Sequence, residues 1–167
     1  IRSWTELKNN GEEDLGVEYV SSFALLGIDK EGLLSTDEKL EVLIARNAWQ
    51  KELIWNRFSM DQLGMSISQP DKVRRSSQTI SVGNTGNWST KNYLPMGCLK
   101  NKETDSILFW QIEQNGSWYW EISDQDGHMY LQLSGPTEHQ SHWWKNLKPG
   151  DTFASVPVSV GSACGDV

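Results

Sequence analysis

The sequence predicts an all-β fold, a large antiparallel β-sandwich with at most one or two short helices. Three observations carry that expectation. Segments rich in Val, Ile, Tyr, Phe and Trp recur between turn residues, and helical periodicity is almost absent. Between Ile107 and Ser134, alternate residues are apolar on three successive segments: Leu108, Trp110, Ile112; then Trp118, Trp120, Ile122; then Met129, Leu131, Leu133. The chain also holds 9 tryptophans against 4 phenylalanines and 4 tyrosines. So many flat side chains either fill a core or stack on ligands, and composition alone leaves both uses open.

From the N-terminus, Leu15–Leu25 follows the turn-rich Asn9-Asn10-Gly11 and reads as a strand; Leu40–Ala45 and Trp49–Phe58 supply two more. A short helix is expected over Ser59–Leu63, because Ser59 and Gln62 have capping-box spacing and Gly64 suits the stop. Met65–Thr90 reads as loop, interrupted by a short strand at Gln78–Val82. Loops of that length are usually functional or disordered.

The three alternating segments are separated by Asn115-Gly116 and by Asp124-Gln125-Asp126-Gly127, both turn signals. They are expected to form a three-stranded antiparallel meander with one buried face. A two-residue turn at Asn115-Gly116 would oppose Ile112 to Tyr119. A three-residue loop through Ser117 pairs Ile112 with Trp120 and Trp110 with Ile122, which keeps the apolar set together. In the second hairpin, a four-residue loop from Asp124 to Gly127 pairs Ile122 with Met129. The opposite face is half polar, with Phe109, Tyr119 and Tyr130 as one aromatic per strand and Glu113 and Glu121 exposed upon it. A last strand is expected over Thr152–Val160, in which Pro157 marks an edge or a bulge.

With 167 residues there is room for one domain and a real core, and hardly for two. A formal charge of -7 argues against a nucleic-acid partner, which needs a concentrated basic surface. The one dense basic spot, Lys72, Arg74 and Arg75, lies in a Ser-rich stretch and reads as a solvated loop. No apolar run approaches the roughly 20 residues of a membrane-spanning helix. Cys98 and Cys164 are read as free thiols rather than a disulfide framework. The chain begins at Ile1 and ends in a Gly/Ser-rich stretch, so it is expected to be a segment of something longer.

Sugar hydrolysis requires two carboxyl groups about 5 to 10 Å apart. The close candidates are Glu12-Glu13-Asp14, Asp37-Glu38 and Asp124 with Asp126; all have turn-like contexts in which solvation or backbone capping explains them. His139 and His142 lack a Glu partner and a nearby Cys, and His128 stands apart, so no metal ligand is assigned. No nucleophile elbow, phosphate loop or dinucleotide fingerprint occurs, and no cofactor is implied. Asp124-x-Asp126-Gly127 lacks the remaining positions of a calcium loop.

The tryptophans divide by context. Trp110, Trp118 and Trp120 belong to the apolar face and are expected in the core, while Trp88 and the pair Trp143-Trp144 sit in loop sequence. A loop Trp beside amides and hydroxyls suits a sugar platform, although packing is the commoner fate of a Trp. Asn87 and Trp88, in Gly86-Asn87-Trp88-Ser89-Thr90, are the candidate substrate-binding residues. Asn87-Trp88-Ser89 and Asn115-Gly116-Ser117 also match the N-glycosylation acceptor.

Several blocks together carry a resemblance. They are Arg2-Ser3-Trp4-Thr5, Asn9-Asn10-Gly11 and Tyr19-Val20-Ser21-Ser22-Phe23; Asn84-Thr85-Gly86-Asn87-Trp88-Ser89; Phe109-Trp110-Gln111-Ile112-Glu113 with Asn115-Gly116-Ser117-Trp118; Leu131-Gln132-Leu133-Ser134-Gly135-Pro136; and Trp143-Trp144-Lys145-Asn146-Leu147-Lys148-Pro149-Gly150. This resembles the N-terminal domain of family 36 glycoside hydrolases, the α-galactosidases. The resemblance implies a mutarotase-like β-supersandwich, represented in part by residues 1–167, that precedes a catalytic (β/α)8 barrel. It also implies a role in barrel packing, in forming a homo-tetramer and at the rim of the α-galactoside pocket, in a cytoplasmic enzyme. Two barrel aspartates act in that family as nucleophile and acid/base, and neither has a counterpart here. No catalytic residue is therefore assigned. An independent carbohydrate-binding β-sandwich module is the alternative.

Overall fold

The computed structural model describes residues 1–65, 78–125 and 127–165. Fourteen strands follow in chain order: β1 (Arg2–Ser3), β2 (Glu6–Lys8), β3 (Leu15–Val17), β4 (Ser21–Leu26), β5 (Leu40–Ala48), β6 (Lys51–Ser59), β7 (Thr79–Asn84), β8 (Tyr93–Asn101), β9 (Ser106–Ile112), β10 (Trp118–Gln125), β11 (His128–Ser134), β12 (Lys145–Leu147), β13 (Thr152–Ala154) and β14 (Val158–Cys164). Two short helices, α1 (Thr36–Lys39) and α2 (Glu138–Ser141), and a 3-10 turn at Asp61–Leu63 complete the described elements. The all-β expectation holds.

A six-stranded sheet in the order β1-β14-β9-β8-β5-β6 packs against a four-stranded sheet in the order β4-β11-β10-β7; β12-β3 and β13-β2 form small ribbons beside them. One core fills the space between the two large sheets. Leu40, Val42, Leu99, Trp110, Ile112 and Val158 come from the first, and Val82, Trp118, Trp120, Ile122, Met129, Leu131 and Leu133 from the second. Eight of the nine alternating residues are buried, and Leu108 is half-buried against them.

Their pairing departs from the expected meander. β9 belongs to the six-stranded sheet and β10 to the four-stranded one, so the chain crosses the sandwich between Glu113 and Ser117 instead of turning back as a hairpin. Trp110 does not pair beside Ile122; it faces Trp120 across the core, with ring centroids 5.2 Å apart at 76°. Hairpin and arch bury the same residue parity, and that is why alternation cannot separate them. In the β10–β11 hairpin, Gln125 pairs with His128 and Ile122 with Leu131. The connection is two residues rather than four, with Gly127 at φ 79°. A shift by two residues leaves the buried face unchanged, so the hydrophobic pattern tolerates either register.

Other boundaries shift for local reasons. Leu15–Leu25 is split into β3 and β4, and β5 and β6 meet at a tight turn in which Gln50 has φ 59° and Trp49 is a tip residue rather than a strand residue. The expected helix at Ser59–Leu63 appears as the 3-10 turn. Its capping box is formed: Ser59 N–H donates to Gln62 Oε1 at 2.9 Å, and Gln62 N–H to Ser59 Oγ at 3.2 Å. Ser35 and Glu38 make the same reciprocal pattern at α1, a spacing the sequence reading passed over. Pro157 lies in the link between β13 and β14, not inside one continuous strand. The expected strand at Gln78–Val82 is β7, whereas Lys72, Arg74, Arg75 and Asp126 lie outside the described residues.

Candidate functional site

Residues 85–92 connect β7 to β8 at one end of the sandwich, and their backbone is anchored on several sides. Asn84 Nδ2 donates to the Trp88 carbonyl at 2.5 Å, and Gly86 N–H, at φ 89°, donates to Ser117 Oγ at 2.9 Å. The buried Trp118 donates its indole N–H to the Ser89 carbonyl at 2.6 Å. Asn47, near the tip of β5, donates through Nδ2 to the Thr90 carbonyl at 2.7 Å and through its backbone to the Asn92 carbonyl at 3.0 Å. Against that fixed backbone the Trp88 side chain is 61% exposed. Anchoring of this kind lowers the entropy lost when an aromatic face meets a ligand. Asn87 is exposed beside it.

The sequence reading missed the other half of this end. Trp49, at the tip of the β5–β6 hairpin, is 88% exposed. A groove of about 520 Å³ between the hairpin and residues 92–93 is lined by Arg46, Asn47, Asn56, Asn92 and Tyr93 among others, and the Arg46 guanidinium lies 5.1 Å from the Tyr93 ring centre. Its walls offer amides, a guanidinium and a phenol but no carboxylate. Lys51 adds an ammonium to the same wall, so the groove offers mainly hydrogen-bond donors to a ligand. The signal available in the sequence was Arg46-Asn47-Ala48-Trp49, polar and aromatic at a strand end, but Trp49 also fitted a strand by propensity.

The candidate carboxylates stand at several separate places in the fold. Glu12, Glu13 and Asp14 are exposed, and Asp14 Oδ2 accepts from Asn146 Nδ2 at 2.7 Å. Asp37 and Glu38 stand in the first turn of α1, and Asp124 is buried beside the β10–β11 turn. Glu113 and Glu121 do not share a sheet, because β9 and β10 part company. Glu113 accepts from Arg2 Nε and Nη2 at 2.8 to 3.1 Å and from Ser159 Oγ at 2.8 Å. The Arg2 hydrogen bonds come first among the causes that hold its carboxyl below the usual range. A depressed folded-state pKa contributes stability above the ordinary carboxylate range and loses it as pH falls through the folded value. The stability advantage of wild type over Glu113→Gln is therefore expected at neutral pH and should shrink as unfolding is followed down through pH 4. An advantage that grows on acidification would contradict the pairing.

The histidines stand apart. His142, in a left-handed conformation, lies 3.8 Å from Glu138, and no group of three His, Cys, Asp or Glu among the described residues is placed to hold a metal ion. Cys98 is buried and Cys164 exposed, both free. Of the loop tryptophans, Trp143 packs against Phe153 with ring centres 5.4 Å apart, and Trp144 is exposed. No helix is long and apolar enough to cross a membrane among the described residues.

No protein-family model and no curated protein matches the sequence. Solved structures do. The galactosidase domain of an alpha-galactosidase-sucrose kinase superposes with a TM-score of 0.74 at 18% identity, over 98% of this chain and 20% of that one. A GH36 alpha-galactosidase from Geobacillus stearothermophilus gives 0.72 at 14% identity, over 96% and 19%. The alpha-galactosidase from Lactobacillus brevis gives 0.71 at 15% identity, over 96% and 19%. Variants of the Geobacillus enzyme have been solved with stachyose and with raffinose. The chain thus spans about a fifth of the length of these proteins, and over that fifth it has the fold found in GH36 alpha-galactosidases.

Proposed function

We propose that this chain is a non-catalytic β-sandwich segment of a family 36 α-galactosidase, N-terminal to a (β/α)8 barrel that hydrolyses terminal α-galactosyl residues with retention. The observation that carries the reading is the superposition of nearly the whole chain on one fifth of a solved galactosidase. Most of the candidate carboxylates support it from the other side, since Glu12, Glu13 and Asp14 are exposed, Asp37 and Glu38 stand at the start of α1, and Glu113 and Glu121 have structural hydrogen-bond partners. In this reading the sandwich packs on the barrel, contributes to a homo-tetramer in the cytoplasm, and lends the loop 85–92 to the rim of the galactoside pocket. Asn87 and Trp88 would meet the sugar there, the amide bonding hydroxyls while the indole stacks.

The test is Trp88→Ala in the complete enzyme. Loss of one aromatic stacking contact is worth about 0.5–1.5 kcal/mol, so KM for raffinose should rise roughly two- to tenfold with the unfolding midpoint unchanged. Unaltered kinetics would remove Trp88 from the rim. The exposed Trp49 and Trp88 beside a carboxylate-free groove favour a second reading, an independent sugar-binding module. Calorimetry of the 167-residue chain with galactose and raffinose separates the two. One-site binding favours the module, and no heat favours a segment that needs its barrel.

A further inference from the structure

The chain contains two Asn-Gly dipeptides, Asn10-Gly11 and Asn115-Gly116, and both asparagines are exposed. Asparagine is among the chemically labile side chains. A following glycine lets the main chain attack that side chain, because no Cβ hinders the approach. The nucleophile is the amide nitrogen of the glycine, so the state of that N–H decides how readily the folded protein reacts.

The fold treats the two glycines differently. Gly11 N–H donates to Asn9 Oδ1 at 2.9 Å. That acceptor is fixed in place: Asn9 is 1% exposed, and its Nδ2 donates to the Glu13 and Leu147 carbonyls at 2.7 and 2.9 Å. Its backbone is tied to Gly150 and Asp151 as well. Asn115-Gly116 instead lies in the arch that carries the chain from β9 to β10, outside any strand ladder. No hydrogen bond among the described residues engages the Gly116 N–H or the Asn115 side-chain amide. Gly116 is outside the left-handed region, and a Cβ there would meet nothing nearer than 3.7 Å. Its backbone is free to turn and its surroundings are open.

We propose that Asn115 is a site of spontaneous succinimide formation, which converts it in the folded protein to isoaspartate and aspartate. The Gly116 amide nitrogen gives up its proton and bonds to Asn115 Cγ. The Cγ–Nδ2 bond breaks, and Nδ2 leaves as ammonia with that proton. Water then opens the ring. Cleavage between the Gly116 nitrogen and the Asn115 main-chain carbonyl carbon yields isoaspartate, and cleavage at Cγ yields aspartate. Water is the co-reactant, and nothing is oxidised or reduced. Either product adds a negative charge to the formal -7. Isoaspartate also inserts a methylene into the main chain, just before two anchors of residues 85–92: Ser117 Oγ, which accepts from Gly86 N–H at 2.9 Å, and the Trp118 indole, which holds the Ser89 carbonyl. The conversion therefore lengthens the arch that fixes this loop, whatever the loop binds.

The experiment is to age the 167-residue chain in warm, mildly alkaline buffer, natively and in urea, and to follow both sites by peptide mapping with isoaspartate-specific methylation. The ratio of the Asn115 rate to the Asn10 rate should be roughly two- to tenfold larger in the native chain than in urea, the factor that one retained hydrogen bond is worth. Gly116→Ala, which the open space accepts, should fold normally and slow Asn115 severalfold while Asn10 is unaffected. As isoaspartate accumulates, the Trp88 indole NMR resonance should split into two populations, and it should stay single in Asn115→Gln. Three results overturn the site: no isoaspartate at position 115 in the native chain, a rate ratio unchanged by urea, or Gly116→Ala converting as fast as wild type. An unmoved Trp88 resonance at full conversion overturns its coupling to the loop.

Discussion

Trp110→Ala is expected to destabilise the chain by about 3–5 kcal/mol, the range for deleting a large aromatic from a packed core. Trp110 is 2% exposed and meets Trp120 edge-on across the sandwich, at a separation where aromatic pairs add to simple burial. On its own sheet, its register partner on β8 is Gly97, where a Cβ would lie 2.5 Å from the indole Cζ2. The glycine is there because the ring occupies the space a side chain would need, so the hole left by alanine lies against bare backbone that offers nothing to fill it. Neither Trp110 nor Trp120 has a partner among the described residues for its buried indole N–H. A buried donor without an acceptor costs about 1–3 kcal/mol, so Trp110→Phe should cost clearly less than Trp110→Ala, since it removes that orphan along with part of the ring. Urea unfolding of the three proteins checks both points. A loss below about 1 kcal/mol for the alanine variant would mean that the two sheets do not close on this pair.

How much of this was legible beforehand depends on which kind of signal each feature leaves. Burial of Trp110, Trp118, Trp120, Ile122, Met129, Leu131 and Leu133 follows from residue parity, because a strand has only two faces. The sheet to which β9 belongs leaves no such mark. An arch and a hairpin through Asn115-Gly116 bury the same set, and only contacts remote in sequence, such as Val160 opposite Trp110, decide between them. The β10–β11 register escaped for a related reason, since even-numbered slips preserve parity. Trp88 was legible as a loop aromatic, whereas its anchoring by Trp118 and Asn47 is tertiary. The outer face of the four-stranded sheet was visible only as half polar, because the donation of the Tyr119 and Tyr130 hydroxyls to Glu121 depends on the cross-strand placement of β10 and β11.

Trp118 is the residue through which the core and the candidate site are coupled, and its replacement should show both effects at once. The side chain is 1% exposed within the main cluster, yet its indole N–H reaches out to the Ser89 carbonyl, one residue beyond Trp88. Trp118→Ala is expected to cost about 3–5 kcal/mol as a core deletion and to release the loop as well. Trp118→Phe separates the two contributions. It removes the donor together with the smaller part of the ring, so its stability cost should combine the roughly 1–3 kcal/mol of one unsatisfied partner with a modest cavity cost and stay below that of alanine. The loop should loosen nonetheless, with broadened or shifted Trp88 emission. If residues 85–92 act as a prearranged rim, Trp118→Phe should raise KM for raffinose in the complete enzyme, and only while Trp88 is present. In the Trp88→Ala background the same change should leave KM where it was, because the platform it positions is already gone. A Trp118→Phe penalty of equal size in both backgrounds would mean that Trp118 affects the pocket through the core alone and that the hydrogen bond to Ser89 is merely structural.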